Sequence, residues 1–269
     1  MKEPKNLDKG MICDCCGGKL HLFTKSKYWQ YWKCPSCGFW TTRTLEGAFP
    51  SFEYDNYQTF DQDADAGWEA LVNEAEIIMR HKFSIICKSG GGTFLDIGAS
   101  EGVYVCAAAQ LGWDAHGFEV DSEKVVRAQK RGLQVVEPAY NDPAYQNKFD
   151  FIMFRHTLEH IPDFMDVLRQ ALPLLKEDGV LCIETPNQES LVQRIRGYKV
   201  RDERFLADLY PPTHINAFCR RTYKAIANTM HLDVAQCLTY SPGDPKWFGR
   251  SGYKSRYRGF KAVIHGLCT

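Results

Sequence analysis

The sequence predicts an α/β protein with a doubly wound, mostly parallel seven-stranded sheet behind a small metal-binding domain. Three observations carry this. From residue 93 onward, short apolar runs alternate with segments of helical periodicity. One of those runs, Leu95-Asp96-Ile97, ends in a glycine turn, Gly98-Ala99-Ser100-Glu101-Gly102. Near the N-terminus, two Cys-x-x-Cys-Gly knuckles face each other across a short spacer.

Bulk properties narrow the function classes. A chain of 269 residues has room for one large domain and something small. Lys and Arg number 33 and Asp and Glu 33, a balance that argues against a protein living on nucleic acid or an anionic membrane. No stretch approaches 18 uninterrupted apolar residues, and MKEPKNLDKG lacks the apolar centre of a signal peptide. The expectation is a cytoplasmic protein whose 11 cysteines are metal ligands and buried thiols, not a disulfide framework.

Taken in order, residues 1–45 form the metal-binding unit, with Tyr28–Trp32 as a short aromatic strand. Residues 46–92 are a linker followed by a helix. That helix has Trp68, Leu71, Val72, Ala75, Ile78, Met79 and Ile86 on its apolar face, and Ser89-Gly90-Gly91-Gly92 stops it. Residues 93–269 are the sheet domain. Its strands are expected at Thr93–Ile97, Ala115–Glu119, Gln134–Glu137, Phe149–Phe154 and Gly179–Thr185, with closing strands near Val234–Tyr240 and Phe260–Gly266. Helices are expected at Val103–Leu111, Ser122–Arg131, Phe164–Leu175 and Arg220–Met230. Residues 186–218 break the alternation and read as an insertion over the strand ends.

Cys13-x-x-Cys16 and Cys34-x-x-Cys37 lie 17 residues apart, the pattern of a zinc ribbon, because each turn aims two thiolates at one tetrahedral ion. Four thiolates leave no open position, so the ion is structural, and binding it supplies the folding energy of so small a unit. Rubredoxin-like iron uses similar knuckles, and Cys15 is an extra thiol inside the first one.

The glycine turn is a cofactor cradle. Twenty-one residues after Gly98 the second strand ends in Glu119, where a carboxylate can accept hydrogen bonds from ribose hydroxyls. A nicotinamide fingerprint, G-x-G-x-x-G, would place glycines where Ser100 and Val103 stand, and those glycines serve a pyrophosphate. S-adenosylmethionine (SAM) has none.

The segment resembles the first motif of class I SAM-dependent methyltransferases, of the small-molecule methyltransferase 11/23 type, with Ser100 in place of the middle glycine. The likeness continues through Lys148–Ile152, His156–Asp163, Gly179–Thr185 and Pro212–Met230, covering roughly residues 93–240. It implies a Rossmann-like fold, with Asp96 near the methionine end of SAM, Glu119 near the ribose, and Gly98, Ser100, Gly102 and Arg155 completing the cofactor set.

His156, Glu159 and His160 stand at the mouth of the fourth strand, where open α/β sheets place their ligands, and histidine suits a base near neutral pH. In sugar C-methyltransferases that also carry an N-terminal zinc domain, a matching Glu-His pair is associated with catalysis, which points to Glu159 and His160. In the related ubiquinone-pathway O-methyltransferases a similar cluster holds a divalent metal, though His156 replaces a carboxylate there. The alternative is that Glu159 and His160 start a helix and bond to backbone. His214 either faces the substrate or anchors the insertion. Tyr54 and Tyr57 either close over the site or pack, and the basic, aromatic tail Lys246–Lys261 either grips a phosphate-bearing substrate or is a solvated loop.

The resemblance implies methyl transfer to an oxygen or carbon of a small molecule, with a nucleotide sugar or glycan precursor as the favoured class. A zinc-knob RNA methyltransferase is the second reading; Phe154-Arg155-His156-Thr157 lacks the N-P-P-Y signature for a planar amine. A non-enzymatic SAM-binding adaptor is the third.

Overall fold

The computed structural model describes residues 11–45, 64–86, 91–189, 200–201, 205–206, 209–240 and 261–267. Tyr54, Tyr57 and residues 246–260 of the basic tail lie outside these residues.

The N-terminal unit contains three antiparallel strands, β1 (His21–Lys25), β2 (Trp29–Lys33) and β3 (Trp40–Thr44), where the sequence suggested only one. The other two are short and polar on one side, which hides them from a search for apolar runs. Helix α1 (Ala64–Ile86) follows. Its buried stripe is Val72, Ala75 and Met79, whereas Leu71, expected on that face, is exposed because it lies one position off the stripe.

The sheet domain begins with β4 (Thr93–Ile97), then α2 (Val103–Gln110), β5 (Asp114–Phe118), α3 (Ser122–Lys130), β6 (Gln134–Val136), β7 (Phe149–Arg155), α4 (Phe164–Ala171) and β8 (Leu175–Pro186). Strands β8-β7-β4-β5-β6 are parallel neighbours and form the body of the sheet. The short pair β9 (Val200–Arg201) and β10 (Phe205–Leu206) precedes β11 (Asn216–Ala217), α5 (Arg220–Thr229), β12 (Asp233–Tyr240) and β13 (Lys261–Leu267). Strand β13 pairs parallel with β8, and β12 pairs parallel with β13.

Two local devices set the strand ends. Strand β8 starts earlier than expected: Leu175 pairs with Phe149, Lys176–Gly179 bulge out, and Val180 resumes pairing with Phe151. Asp150 on β7 then collects the Thr93 amide and the Lys176 ammonium, each at 2.8 Å, which aligns the starts of β4, β7 and β8. At the far end, Asp121 caps α3 by accepting from the amides of Glu123 and Lys124, with Arg127 and Lys130 in the last turn against the helix dipole. Such a cap is worth about 1 kcal/mol.

The described part of the segment expected as an insertion joins the N-terminal sheet. Its β11 pairs antiparallel with β3 and completes a four-stranded sheet, β1-β2-β3-β11. Cys13, Cys15 and Phe39 of the N-terminal unit pack in the same apolar core as Phe154, Phe164 and Phe218. Phe39 meets Phe164 and Phe218 at centroid distances of 5.5 and 5.6 Å.

Candidate active site

Strand β4 delivers Asp96, which is buried, to the C-terminal edge of the sheet, and the chain then turns through Gly98, Ser100 and Gly102, all with positive φ (84°, 51° and 87°). The glycines are required for different reasons. At Gly98 a Cβ would strike the Thr157 side chain, and at Gly102 it would strike Leu133. The amides of Gly98 and Ala99 both donate to the Phe118 carbonyl, at 2.8 and 3.0 Å, which ties the turn to the end of β5. Glu119 follows immediately and is buried; its two carboxylate oxygens accept from the amides of Ser100 (2.7 Å) and Asp121 (3.0 Å). Each oxygen keeps a second acceptor direction. Val120 beside it is 81% exposed, an apolar side chain left uncovered next to a buried carboxylate. A tight turn of alternating left-handed residues, a fixed carboxylate and an adjoining apolar edge suit SAM, whose ribose diol and adenine need those partners.

The second group sits at the end of β7. His156, again with positive φ (51°), donates its amide to the Glu184 carbonyl at 2.8 Å. Its Nδ1 lies 3.2 Å from Glu159 Oε1, and its Nε2 lies 3.9 Å from Glu184 Oε1. Arg155 pairs with the same Glu184 oxygen at 3.2 Å and stacks over the Tyr104 ring at 4.7 Å. Burial raises the Tyr104 phenol well above its ordinary range, so it stays neutral against this charged group. Glu159 and Glu184 are fully buried carboxylates, tolerable only because His156 and Arg155 accompany them. Glu159 Oε2 makes no hydrogen bond among the described residues.

His160 belongs to a 3-10 turn, Leu158–His160, not to the start of α4. Its Nδ1 lies 2.9 Å from the Thr213 carbonyl, so the neutral ring carries its proton there and Nε2 is the basic nitrogen. His214 stacks edge-on against it, 4.7 Å between centroids, and its Nε2 is 2.7 Å from the Tyr210 hydroxyl. One ligand atom each from Glu159, His160 and His214 lies within 4.8 Å of the others, close enough to act on one bound atom or to hold a cation. His156, Glu159, His160 and His214 thus share one region, at the edge of the sheet that also carries Asp96 and the glycine turn. Glu184 and Tyr210 were missed. Glu184 had a signal, an acid at the end of an apolar strand, while Tyr210 is revealed only by the fold of the insertion.

The Sγ atoms of Cys13, Cys16, Cys34 and Cys37 all lie within 4.8 Å of one another, with Cys13–Cys37 and Cys16–Cys34 each at 3.5 Å. Thiolates around a tetrahedral zinc would be about 3.8 Å apart, so the set is compatible with structural zinc. Gly18 N donates to Cys16 Sγ at 3.4 Å, the amide-to-sulfur bond expected of a knuckle.

Residues 74–236 match the family described as a methyltransferase domain, which is more than half of the chain. The chain belongs to the class I SAM-dependent methyltransferase family. It is similar to the ubiquinone biosynthesis O-methyltransferase of Haemophilus ducreyi, 27% identical over 48% of this chain and 62% of that protein. It also resembles the demethylmenaquinone methyltransferase of Listeria monocytogenes, 32% identical over 33% of this chain and 39% of that protein. The chain therefore spans less than two thirds of the curated relatives it matches. Among solved structures, a SAM-dependent methyltransferase from Archaeoglobus fulgidus overlaps with a TM-score of 0.46 at 20% identity, over 59% of this chain and 68% of that one.

Among the described residues, no helix is long and apolar enough to cross a membrane.

Proposed function

We propose that the protein is a SAM-dependent methyltransferase acting on an oxygen or carbon of a small molecule. The observation that carries the reading is the Gly98–Gly102 turn locked to the buried Glu119 carboxylate, in a chain of this family. Bound SAM supplies a methyl group on a positively charged sulfur. In this reading Asp96 faces the methionine end, Gly98, Ser100 and Gly102 let the backbone approach, and Glu119 accepts the ribose hydroxyls. Arg155, paired with Glu184, anchors the rim beside the methionine end.

At the acceptor end, His160 Nε2 takes the proton from the attacking hydroxyl or acidic carbon, with Glu159 and His214 flanking it. His156 holds Glu159 in place. Alignment of acceptor and sulfur supplies the rest of the acceleration. The names of the relatives, a ubiquinone biosynthesis O-methyltransferase and a demethylmenaquinone methyltransferase, favour a quinone-related ring as acceptor. A nucleotide sugar or glycan precursor has only the metal-domain resemblance behind it. Cytoplasmic residence belongs to the same proposal, and the four cysteines hold structural zinc.

The test is incubation with methyl-labelled SAM and a panel of catechols, quinols and nucleotide sugars, alongside RNA. Label in a hydroxylated small molecule is the expected result. Label in RNA alone would favour the zinc-knob RNA enzyme, and absence of S-adenosylhomocysteine (SAH) binding by calorimetry would sink the cofactor assignment. A second reading of the same cluster, favoured by its 4.8 Å compactness, is a divalent cation held by Glu159, His160 and His214. Turnover that rises with added Mn2+ or Fe2+, ions that suit two imidazoles and a carboxylate, while the cysteine-bound metal stays constant distinguishes it.

A further inference from the structure

The metal knuckles and the Glu159–His160 turn are joined through β3 by a series of buried and part-buried hydrogen bonds. The second knuckle closes with the Cys34 amide on the Phe39 carbonyl (2.8 Å) and the Gly38 amide on the Cys34 carbonyl (2.9 Å), and the chain runs directly into β3. There the Thr41 hydroxyl donates to Asn216 Oδ1 at 2.9 Å, and both residues are almost wholly buried. Asn216 uses its remaining capacity on the turn itself. Its Nδ2 donates to the carbonyls of Ile161 (2.7 Å) and Leu158 (3.3 Å), the two residues that bracket Glu159 and His160. One residue earlier, Ile215 donates its amide to the Glu159 carbonyl at 2.9 Å, while its own carbonyl accepts from the Thr42 amide, also at 2.9 Å. His214 and the Thr213 carbonyl that orients His160 are the next positions along the same segment.

The knuckle is fastened a second time. The Cys37 carbonyl accepts from Thr222 Oγ1 at 3.0 Å, and a Cβ on Gly38 would fall 2.6 Å from Cys219 Sγ, at the start of α5. Thr229 at the other end of α5 donates to the Cys15 carbonyl at 2.7 Å. Thus β11 and the helix after it are held by backbone of the cysteine unit, which a bound metal would order together with the packing of Phe39 on Phe164 and Phe218.

We infer that the four-cysteine unit is a positioning device for the acceptor end of the site, with Thr41 and Asn216 as the positioning residues that transmit its geometry to Glu159, His160 and His214. This rests on the reading of that cluster as the acceptor end, but the coupling itself is measurable without any substrate. A buried asparagine whose oxygen and both amide protons are used fixes the distance between its partners to within hydrogen-bond tolerance. Removing one partner leaves a buried polar group unsatisfied, so the penalty is felt at the other partners as well.

The experiment uses the full chain, metal content measured, with hydrogen exchange and the His160 imidazole resonances as readouts. Stripping the metal with a chelator is expected to speed exchange at the Ile161 and Ile215 amides by about tenfold or more, while the Phe94–Ile97 amides of β4 keep their protection. Thr41→Val is expected to shift or broaden the His160 signals with metal content and SAH affinity unchanged, and Thr41→Ser, which keeps the hydroxyl, is expected to restore them. Unchanged protection at Ile161 and Ile215 in the metal-free protein overturns the inference. So does a Thr41→Val variant with wild-type His160 resonances, or one whose loss of protection spreads equally to β4. If SAH binding or methyl transfer fails in every form while the exchange pattern holds, the functional reading fails and the coupling stands.

Discussion

Gly98 and Thr157 leave no room between them: a Cβ on Gly98 would come within 2.6 Å of both Cγ2 and Oγ1 of Thr157. The Thr157 hydroxyl meanwhile lies 3.1 Å from the Ile97 carbonyl, one residue before the glycine, so the turns after β4 and β7 are packed as one surface. Gly98→Ala is expected to destabilise the fold by about 1–3 kcal/mol, through both the clash and the left-handed φ, and to weaken SAH binding at least tenfold. Thermal melts and calorimetry check both. Adding Thr157→Ala relieves the clash but not the backbone strain, so stability should return only in part.

Glu119→Gln separates charge from shape. The carboxylate accepts from two backbone amides, and an amide side chain can accept from only one of them while turning its NH2 toward the other. SAH affinity is expected to fall by about tenfold to a hundredfold, the range of 1.5–3 kcal/mol for hydrogen bonds to a charged group. Wild-type affinity in calorimetry would remove Glu119 from the cofactor site.

His160→Ala is expected to slow turnover by about a hundredfold or more while SAH affinity changes by less than threefold. Its Nδ1 lies 2.9 Å from the Thr213 carbonyl, a contact that fixes the orientation of the ring proposed as the base. Single-turnover kinetics with saturating SAM is the measurement, and turnover at the wild-type rate would dismiss the assignment.

Asp150 gives a pH signature of the sheet. Burial pushes its carboxyl up, but the Lys176 ammonium and the Thr93 amide and hydroxyl outweigh that and hold it below its ordinary value. A carboxylate depressed in the folded state adds stability above its unfolded pKa of about 3.9, and that stability is lost as pH falls through the folded value. The side chain is 38% exposed, so screening limits the contribution to about 1 kcal/mol at most. Asp150→Asn should therefore melt slightly below wild type at pH 7, with the gap narrowing below about pH 4.

The alternation from Thr93 to Thr185 was readable mainly from the apolar strands β4, β7 and the second part of β8, with the acid-glycine turn marking the end of β4. The grouping of the four cysteines was equally plain, since spacing alone brings the sulfurs together. Strands β1 and β3 were not legible: HLFTK and WTTRT gain their strand character from pairing with β2, not from their own alternation. The role of Asn216 had no local signal at all, because its partners Thr41, Leu158 and Ile161 are remote in sequence and meet it only once the insertion folds back. Leu175, expected to end a helix, instead begins a strand because Phe149 offers it a pairing partner ahead of the bulge.

The closing of the N-terminal sheet by β11 also orders events during synthesis. Thr41 leaves the ribosome long before Asn216, its partner 175 positions later, so β3 waits with one edge unpaired while strands β4 to β8 of the central sheet are made. During that interval the pairing of β1, β2 and β3 and the cysteine cluster are the local constraints on the unit, and a bound ion would help hold the β3 edge until its last strand arrives. Closure of that sheet edge is thus a contact between segments far apart in sequence.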